Sequence, residues 1–502
     1  MTLFRPQLSS LSHPLRGQGG RYALCVLVIV IASAQALATL FAPPSAEGFG
    51  VALRTAISMY PPAGAEGTAA LLRVRDTGAQ LVRIQVSWST AAPVDPPPGF
   101  DAANPNDPSY NWSELDRLVQ SAVGARLEPI IDITTPPAWA QEPVGGGVQR
   151  PSATQLGMFA HAAASRFNGS NPALPTVRYW EAWNEPNVSL FLEPQIQNGT
   201  PVSVSTYRTM VNDFAAGVHG ARAGDVVIGG SLFPNAINRP GITAIAPLEF
   251  TRRLFCISAG SRPRRTCNTR VAVDVWSVHP YTSGGPATRP ANPNNIWIAN
   301  LRSFTNVVQA AQRLGSLTSR HRAQTWVTEF SWDSNPPNPG GVPVVLERRW
   351  VAETLYRSWQ AGINIFTWFT LRDEPMGSSP FQSGLYFACA GGIYCDTPKP
   401  AAAAFRFPLV AYPAAKRSVY VWGRTPAGVP GSVRVQWLQG RTWRTFATLR
   451  SDGDGTFSAQ LPLPRQASPG SALLRALEPG VGVSPSFSLH RPPEIAATPF
   501  GA

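Results

Sequence analysis

Two glutamates stand in settings that invite chemistry. Glu185 lies in the run Tyr179-Trp180-Glu181-Ala182-Trp183-Asn184-Glu185-Pro186-Asn187, and Glu329 in Trp326-Val327-Thr328-Glu329-Phe330-Ser331-Trp332. Each ends an apolar, strand-like stretch and has aromatic neighbours. A carboxylate is costly to desolvate, so one held among aromatics needs a reason. Splitting a glycosidic bond supplies one. It takes a proton donor for the leaving oxygen and a second carboxylate to capture or stabilise the oxocarbenium-like centre. The plainer reading of either glutamate alone is a structural ion pair with an arginine. Glu181 is a third acid with the strand parity of Glu185, four residues deeper, and reads as a buried structural group.

Other chemistries find few residues. The six histidines show no HExxH and no close pairing, which disfavours a metallohydrolase and a bound metal. Gly230-Ser231-Leu232-Phe233 lacks the second glycine of a nucleophile elbow. No strand is followed by GxGxxG or GxxxxGK[ST], so no cofactor is implied.

The elements that must position the glutamates alternate. Strand-like runs fall at residues 49–53, 81–87, 128–134, 177–184, 226–232, 273–279, 325–329 and 363–370. Helical patterns lie between them, among them 112–125, 154–167, 204–223, 296–314 and 345–361, with Ser113 as an expected N-cap. Eight strands interleaved with helices predict an α/β fold, a (β/α)8 barrel over 47–408, in preference to a doubly wound open sheet. Active sites of that fold sit at the C-terminal strand ends, where strands 4 and 7 carry the two glutamates. A regular strand sends neighbouring side chains to opposite faces, so strand 4 must kink for Asn184 and Glu185 to act together.

After residue 408 short alternating runs read as a small all-β sandwich-like domain, 409–490, before a tail, 491–502. The Ser451-Asp452-Gly453-Asp454-Gly455 run lacks the glutamate of a calcium loop and reads as a hairpin turn.

Composition frames the rest. The chain has 502 residues, 44% hydrophobic and 14% charged, enough apolar mass to exclude wholesale disorder. Net charge is +13, and of 42 basic residues only Lys399 and Lys416 are lysines. The arginines are scattered, with no run of five, so nucleic acid is not expected as a partner. Cys256 and Cys267, and Cys389 and Cys395, form two close pairs without metal-like spacing, and proximity favours two local disulfides. Such bonds suit an oxidising compartment. Arg5, Arg16 and Arg21 precede an apolar run over 22–41 that contains Cys25. Residues 1–46 read as a signal peptide or as an uncleaved anchor that leaves the body outside the membrane. The protein is therefore expected to be secreted or anchored outside by 22–41, the membrane being met only there. It is expected to be a monomer.

The two glutamate motifs, YWEAWNEPN from Tyr179 and VTEFSW from Val327, resemble the clan of retaining (β/α)8 glycoside hydrolases that includes families 5, 39 and 51. The resemblance covers about residues 48–408. It implies Glu185 as acid/base, Glu329 as nucleophile, and Asn184 as a hydrogen-bond partner of the sugar 2-hydroxyl. Arg83 resembles the strand-2 arginine of family 5 and would keep Glu329 ionised. His279-Pro280-Tyr281 matches a strand-6 His-x-Tyr, with Tyr281 toward Glu329 and His279 toward substrate. Trp368 falls where the clan carries a tryptophan floor. Tryptophans at strand ends, Trp88, Trp139, Trp332 and Trp368, suit a carbohydrate cleft because a ring stacks on the C–H face of a sugar. Asp373 and Glu374 could bind hydroxyls. Family 5 usually has a strand-3 histidine where this chain has Ile133-Thr134-Thr135-Pro136-Pro137-Ala138-Trp139, a stretch closer to family 39.

The expected function is a retaining β-glycosidase acting on poly- or oligosaccharides by double displacement. The competing reading is a non-catalytic carbohydrate-binding or cell-surface protein on a degenerate barrel.

Overall fold

The structure, a computed structural model, describes residues 52–145, 148–377, 379–415, 417–492 and 495. The predicted export segment with Cys25, and the tail beyond Ile495, lie outside them. Among the described residues no helix is long and apolar enough to cross a membrane.

Eight parallel strands close a barrel: β1 Arg54–Ser58, β2 Leu81–Ser87, β3 Glu128–Thr134, β4 Tyr179–Ala182, β5 Val226–Leu232, β6 Val275–Val278, β7 Gln324–Val327 and β8 Ile365–Phe369. Each pairs with its neighbours in sequence, and β8 closes on β1. A helix follows every strand: α1 Gly64–Asp76, α2 Ser113–Gly124, α3 Ala153–Arg166, α4 Val202–Ala221, α5 Pro247–Leu254, α6 Leu301–Arg313, α7 Val344–Ala361 and α8 Pro400–Arg406. This is the (β/α)8 architecture the alternation predicts. The first strand begins at Arg54, not at residue 49. Ser113 opens α2 rather than capping it, and Asn111 Oδ1 accepts from the Ser113 N–H at 3.2 Å.

The periodicity has a physical cause. Outward strand residues such as Ile84, Trp180, Trp276 and Phe366 join the helices' buried faces in one continuous core. Inward residues change character along the strands. At the lower end each strand gives one apolar side chain: Ala56, Leu81, Ile130, Tyr179, Ile228, Val275, Trp326 and Ile365. Two residues further on, toward the C-terminal ends, come Ser58, Arg83, Asp132, Glu181, Gly230, Ser277, Thr328 and Thr367. The barrel thus has an apolar floor and a polar upper layer.

The C-terminal region forms two antiparallel sheets. One contains β9 Leu409–Ala414, β10 Ser418–Arg424 and, paired to β10 across the unit, β13 Thr456–Pro462. The other contains β11 Ser432–Gln439, β12 Thr442–Arg450 and β14 Leu473–Glu478. Asp452 Oδ1 accepts from the N–H groups of Asp454 and Thr456, as a hairpin turn requires. Trp422 is buried against Tyr356 and Trp359 of α7, with ring centroids 5.5 and 5.8 Å away, so it joins sheet to barrel. Both local disulfides form, with Cα–Cα separations of 5.2 Å for Cys256–Cys267 and 5.9 Å for Cys389–Cys395.

Candidate active site

The end of β4 kinks as the side-chain parity demands. Trp183 and Glu185 take φ of +74° and +41°, left-handed values that bulky residues rarely adopt. The Glu185 N–H donates to the Ser231 carbonyl at 3.1 Å, which holds the turned segment against β5. The partner strand bulges too. Gly230 has φ +103°, and a Cβ there would meet the Ser277 carbonyl at 2.4 Å, so the bulge needs glycine. Asn187 secures the far side by donating to the carbonyls of Phe233 and Ile245 and accepting from the Phe233 N–H.

Arg83 is the hub. It is fully buried, and its guanidinium donates from Nε to Glu181 at 2.5 Å and from Nη1 to Glu329 at 2.5 Å. From Nη2 it donates to Asp132 at 2.8 Å and to Asn184 Oδ1 at 3.2 Å. A planar fork with five donors can fix four groups at once; a lysine cannot. Glu181 is buried beneath the site, and Ser231 and Ser277 also donate to it. Its depth and partners give it the structural place expected. Asp132, in the same layer, is pushed up to about 7 by burial against the pull of Arg83.

The two candidate carboxyl groups face different partners. Glu329 Oε1 receives Arg83, and Oε2 receives the Tyr281 hydroxyl at 3.0 Å. Burial raises the Glu329 carboxyl, while Arg83 and Tyr281 pull it down. Glu185 Oε1 lies 2.9 Å from His279 Nδ1, whose other nitrogen lies 3.1 Å from the Thr328 hydroxyl. Burial raises Glu185, His279 opposes, and the charge of Glu329 adds to the rise. Burial also lowers His279, which favours its neutral form. Both carboxyl groups are raised by burial, and a permanent cation opposes the rise at Glu329 where an imidazole opposes it at Glu185. His279 Nδ1 is also 3.6 Å from Glu329 Oε2. Laid end to end, the two legs bound the Glu185 Oε1 to Glu329 Oε2 distance at about 6.5 Å.

The structure thus gathers Arg83, Asn184, Glu185, His279, Tyr281 and Glu329 into one hydrogen-bonded group. The tryptophan expectations fare differently. Trp368 faces outward from β8, is 0% exposed, packs against Phe405 of α8, and donates its indole N–H to the Ser383 carbonyl. It presents no face to a ligand. The inward, part-exposed aromatic at that strand end is Phe369, paired with Ser58 of β1 and set edge-on to Phe381. Parity along β8 could have found it, since Ile365 and Thr367 point inward. Trp88 and Trp332 are also fully buried. Trp139 alone of the four stays part-exposed, edge-on to Trp88 and Phe100, with its N–H on the Pro93 carbonyl. Asp373 is not turned to a ligand either; it receives Lys399 Nζ at 2.5 Å and the Gly384 N–H. Among the described residues no group of histidine, cysteine and acidic side chains is arranged to hold a metal ion.

No family model matches the chain, and no curated protein matches it. Solved structures similar to it include a family 39 glycoside hydrolase from the gut symbiont Bacteroides cellulosilyticus WH2, 14% identical, with a TM-score of 0.49 and coverage of 82% of this chain and 79% of that one. A GH30 endoxylanase from Clostridium papyrosolvens C71 is 12% identical, with a TM-score of 0.42 and coverage of 82% and 93%. A glucosidase from Croceicoccus marinus is 13% identical, with a TM-score of 0.43 and coverage of 82% and 97%. The fold of this chain rests on its own strand order, which closes eight parallel strands into a (β/α)8 barrel with a β-sheet region after it.

Proposed function

We propose that this chain is a retaining β-glycoside hydrolase acting on poly- or oligosaccharides. The observation that carries the reading is the unequal pair of carboxyl groups, Glu185 buried and Glu329 slightly exposed. Glu329 is tied to a guanidinium and Glu185 to an imidazole, with their nearer oxygens no more than about 6.5 Å apart. Retaining enzymes hold the two groups about 5–5.5 Å apart, and inverting ones leave about 6.5–9.5 Å for a water between them.

In the first step an oxygen of Glu329 bonds to the anomeric carbon as the bond to the leaving oxygen breaks. Glu185 gives that oxygen its proton. Glycosylation removes the charge of Glu329, so Glu185 now loses its proton more readily. In the second step Glu185 takes a proton from water, whose oxygen bonds to the anomeric carbon and frees Glu329. Arg83 favours the charged form of Glu329 against burial, and Asn184, held by Arg83, meets the sugar 2-hydroxyl. No cofactor enters. The proposed setting is outside the cell, as a monomer on a carbohydrate substrate, in keeping with the two disulfides.

The test is a panel of 2-deoxy-2-fluoro glycosides with good leaving groups, followed by peptide mass mapping. A covalent adduct on the peptide that holds Glu329, absent from Glu329→Gln, is expected. Lack of both adduct and turnover across the panel would return the chain to a non-catalytic binder.

A further inference from the structure

The opposite end of the barrel holds a second feature that the proposed chemistry does not use. At the N-terminal mouth a cavity of about 220 Å³ is lined by Arg54, Arg178, Arg320 and Arg322. A second concavity of about 630 Å³ adjoins it through Arg54 and adds Arg75, Arg126 and Arg406, with its far wall from the C-terminal region at Pro426, Ala427 and Val481. Seven arginines thus meet four carboxylates, Asp76, Glu128, Asp225 and Asp274. Three of those four are engaged already: Glu128 by Arg54, Asp225 by Arg222 and Asp274 by His219. Arg75, Arg126, Arg178, Arg320, Arg322 and Arg406 are exposed. Arg126, which lines the groove, takes φ +61°, where glycine or asparagine would be less strained.

We propose that this groove docks an acidic polysaccharide, one bearing carboxylate or sulfate groups, and holds the enzyme on it. The choice of a glycan rests on the glycosidase reading above. The chemistry is that of the guanidinium, which binds such oxyanions with two parallel N–H donors. Concave walls with an excess of positive charge also concentrate a polyanion. Aromatic side chains that could stack nucleobases are not offered. Tyr179 and Trp326 line the smaller cavity but are buried, Tyr179 under Arg178 with its hydroxyl on Arg54. Single-stranded nucleic acid binding relies on such platforms. The groove lies at the end of the barrel away from Glu185 and Glu329, so a docked chain leaves the catalytic mouth open.

The test uses the full chain and reads binding, not turnover. Titration with polygalacturonate at low salt should show binding that weakens steeply as salt rises, and dextran should show none. Arg178→Ser, Arg320→Ser and Arg322→Ser combined should weaken binding about tenfold or more. Removing three arginines outside the groove, Arg441, Arg444 and Arg450, should change it less than twofold. Turnover of an aryl glycoside should be the same in both triple variants. Equal losses in the two variants would mean diffuse charge and overturn the proposal. Duplex DNA binding as tightly as polygalacturonate, with the same loss in the groove variant, would overturn the glycan assignment. A protein that binds polygalacturonate through the groove but hydrolyses nothing would overturn the glycosidase reading and leave the groove standing.

Discussion

The same eight strands build two layers that differ in almost everything. The floor is apolar throughout, from Ala56 and Leu81 round to Trp326 and Ile365. Two residues further along each strand the inward positions are all polar except Gly230. Both layers are closed to solvent, so burial does not separate them. Partnership does. The floor needs only shape. The upper layer holds one guanidinium against Glu181, Asp132 and Glu329, and still leaves Asp132 Oδ1 and Thr367 Oγ1 without hydrogen-bond partners. Replacing buried ion networks by well-packed apolar groups is often neutral or stabilising by about 1–4 kcal/mol. The upper layer is therefore a poor way to stabilise a barrel and a good way to fix four oxygen-bearing side chains in one geometry.

Breaking each layer in turn tests that contrast. Arg83→Met should lower aryl glycoside turnover about a thousandfold or more, because Glu329 loses its cation and Asn184 its anchor. It should also cost about 3–5 kcal/mol, since three carboxyl groups are left without a counter-charge. Arg83→Lys keeps the charge and loses the fork, so turnover should fall about a hundredfold. Ile228→Ala in the floor should cost about 2–4 kcal/mol and leave turnover per folded molecule within about twofold. Denaturant melts and kcat on the same samples decide it. If Ile228→Ala damages turnover as much as Arg83→Lys does, the two layers are not separable.

A smaller contrast sits within one strand. Phe369 faces inward at the mouth and Trp368 faces the helices. Phe369→Ala should raise KM about tenfold, the worth of one lost ring contact of about 1–1.5 kcal/mol, and barely move stability. Trp368→Ala should do the reverse, costing about 3–5 kcal/mol with KM intact. A raised KM for Trp368→Ala alone would restore the tryptophan floor.

The Trp368 reversal shows where the sequence was informative. Strands β2, β3 and β5 match their expected bounds residue for residue, because long Val- and Ile-rich runs end at clear turn signals. Glu185, Glu329 and the His279–Tyr281 pair were legible because each is polar at the end of an apolar run, and Arg83 because it is charged inside the strand Leu81–Ser87, where burial demands a purpose. Asp132 was as legible by that logic, polar inside Glu128–Thr134, but no motif drew attention to it. The first strand was misplaced because Arg54 and Thr55 look less strand-like than the residues before them, and pairing with β8 overrides that local preference. Trp368 and Phe369 are adjacent aromatics, so composition could not separate them, whereas inward parity could. The N-terminal arginine groove was illegible because its residues come from the starts of strands and the ends of helices far apart in the chain.

Glu347 on α7 gives the last comparison, a buried carboxyl without the partners that Glu329 has. It is fully buried, and neither oxygen has a hydrogen-bond partner. Lys399 is close enough to favour its charge, but that ammonium already donates to Asp373 Oδ1 and to the Gln382 carbonyl. Burial pushes Glu347 up to about 8, with Lys399 opposing and the charges of Asp373 and Asp333 adding. The folded form then holds the proton more tightly than the unfolded form, whose ordinary value is near 4.5. Its contribution is full below about 4.5 and erodes as pH rises toward about 8, at up to about 1.4 kcal/mol per pH unit. Glu347→Gln is neutral at every pH and escapes that loss. The variant should match the parent near pH 4 and exceed it by a few kcal/mol at pH 8, with turnover unchanged. Denaturant melts at both pH values measure it. Stability curves that run parallel across the window would mean that Glu347 titrates alike in the folded and the unfolded protein, and that burial without partners does not raise it.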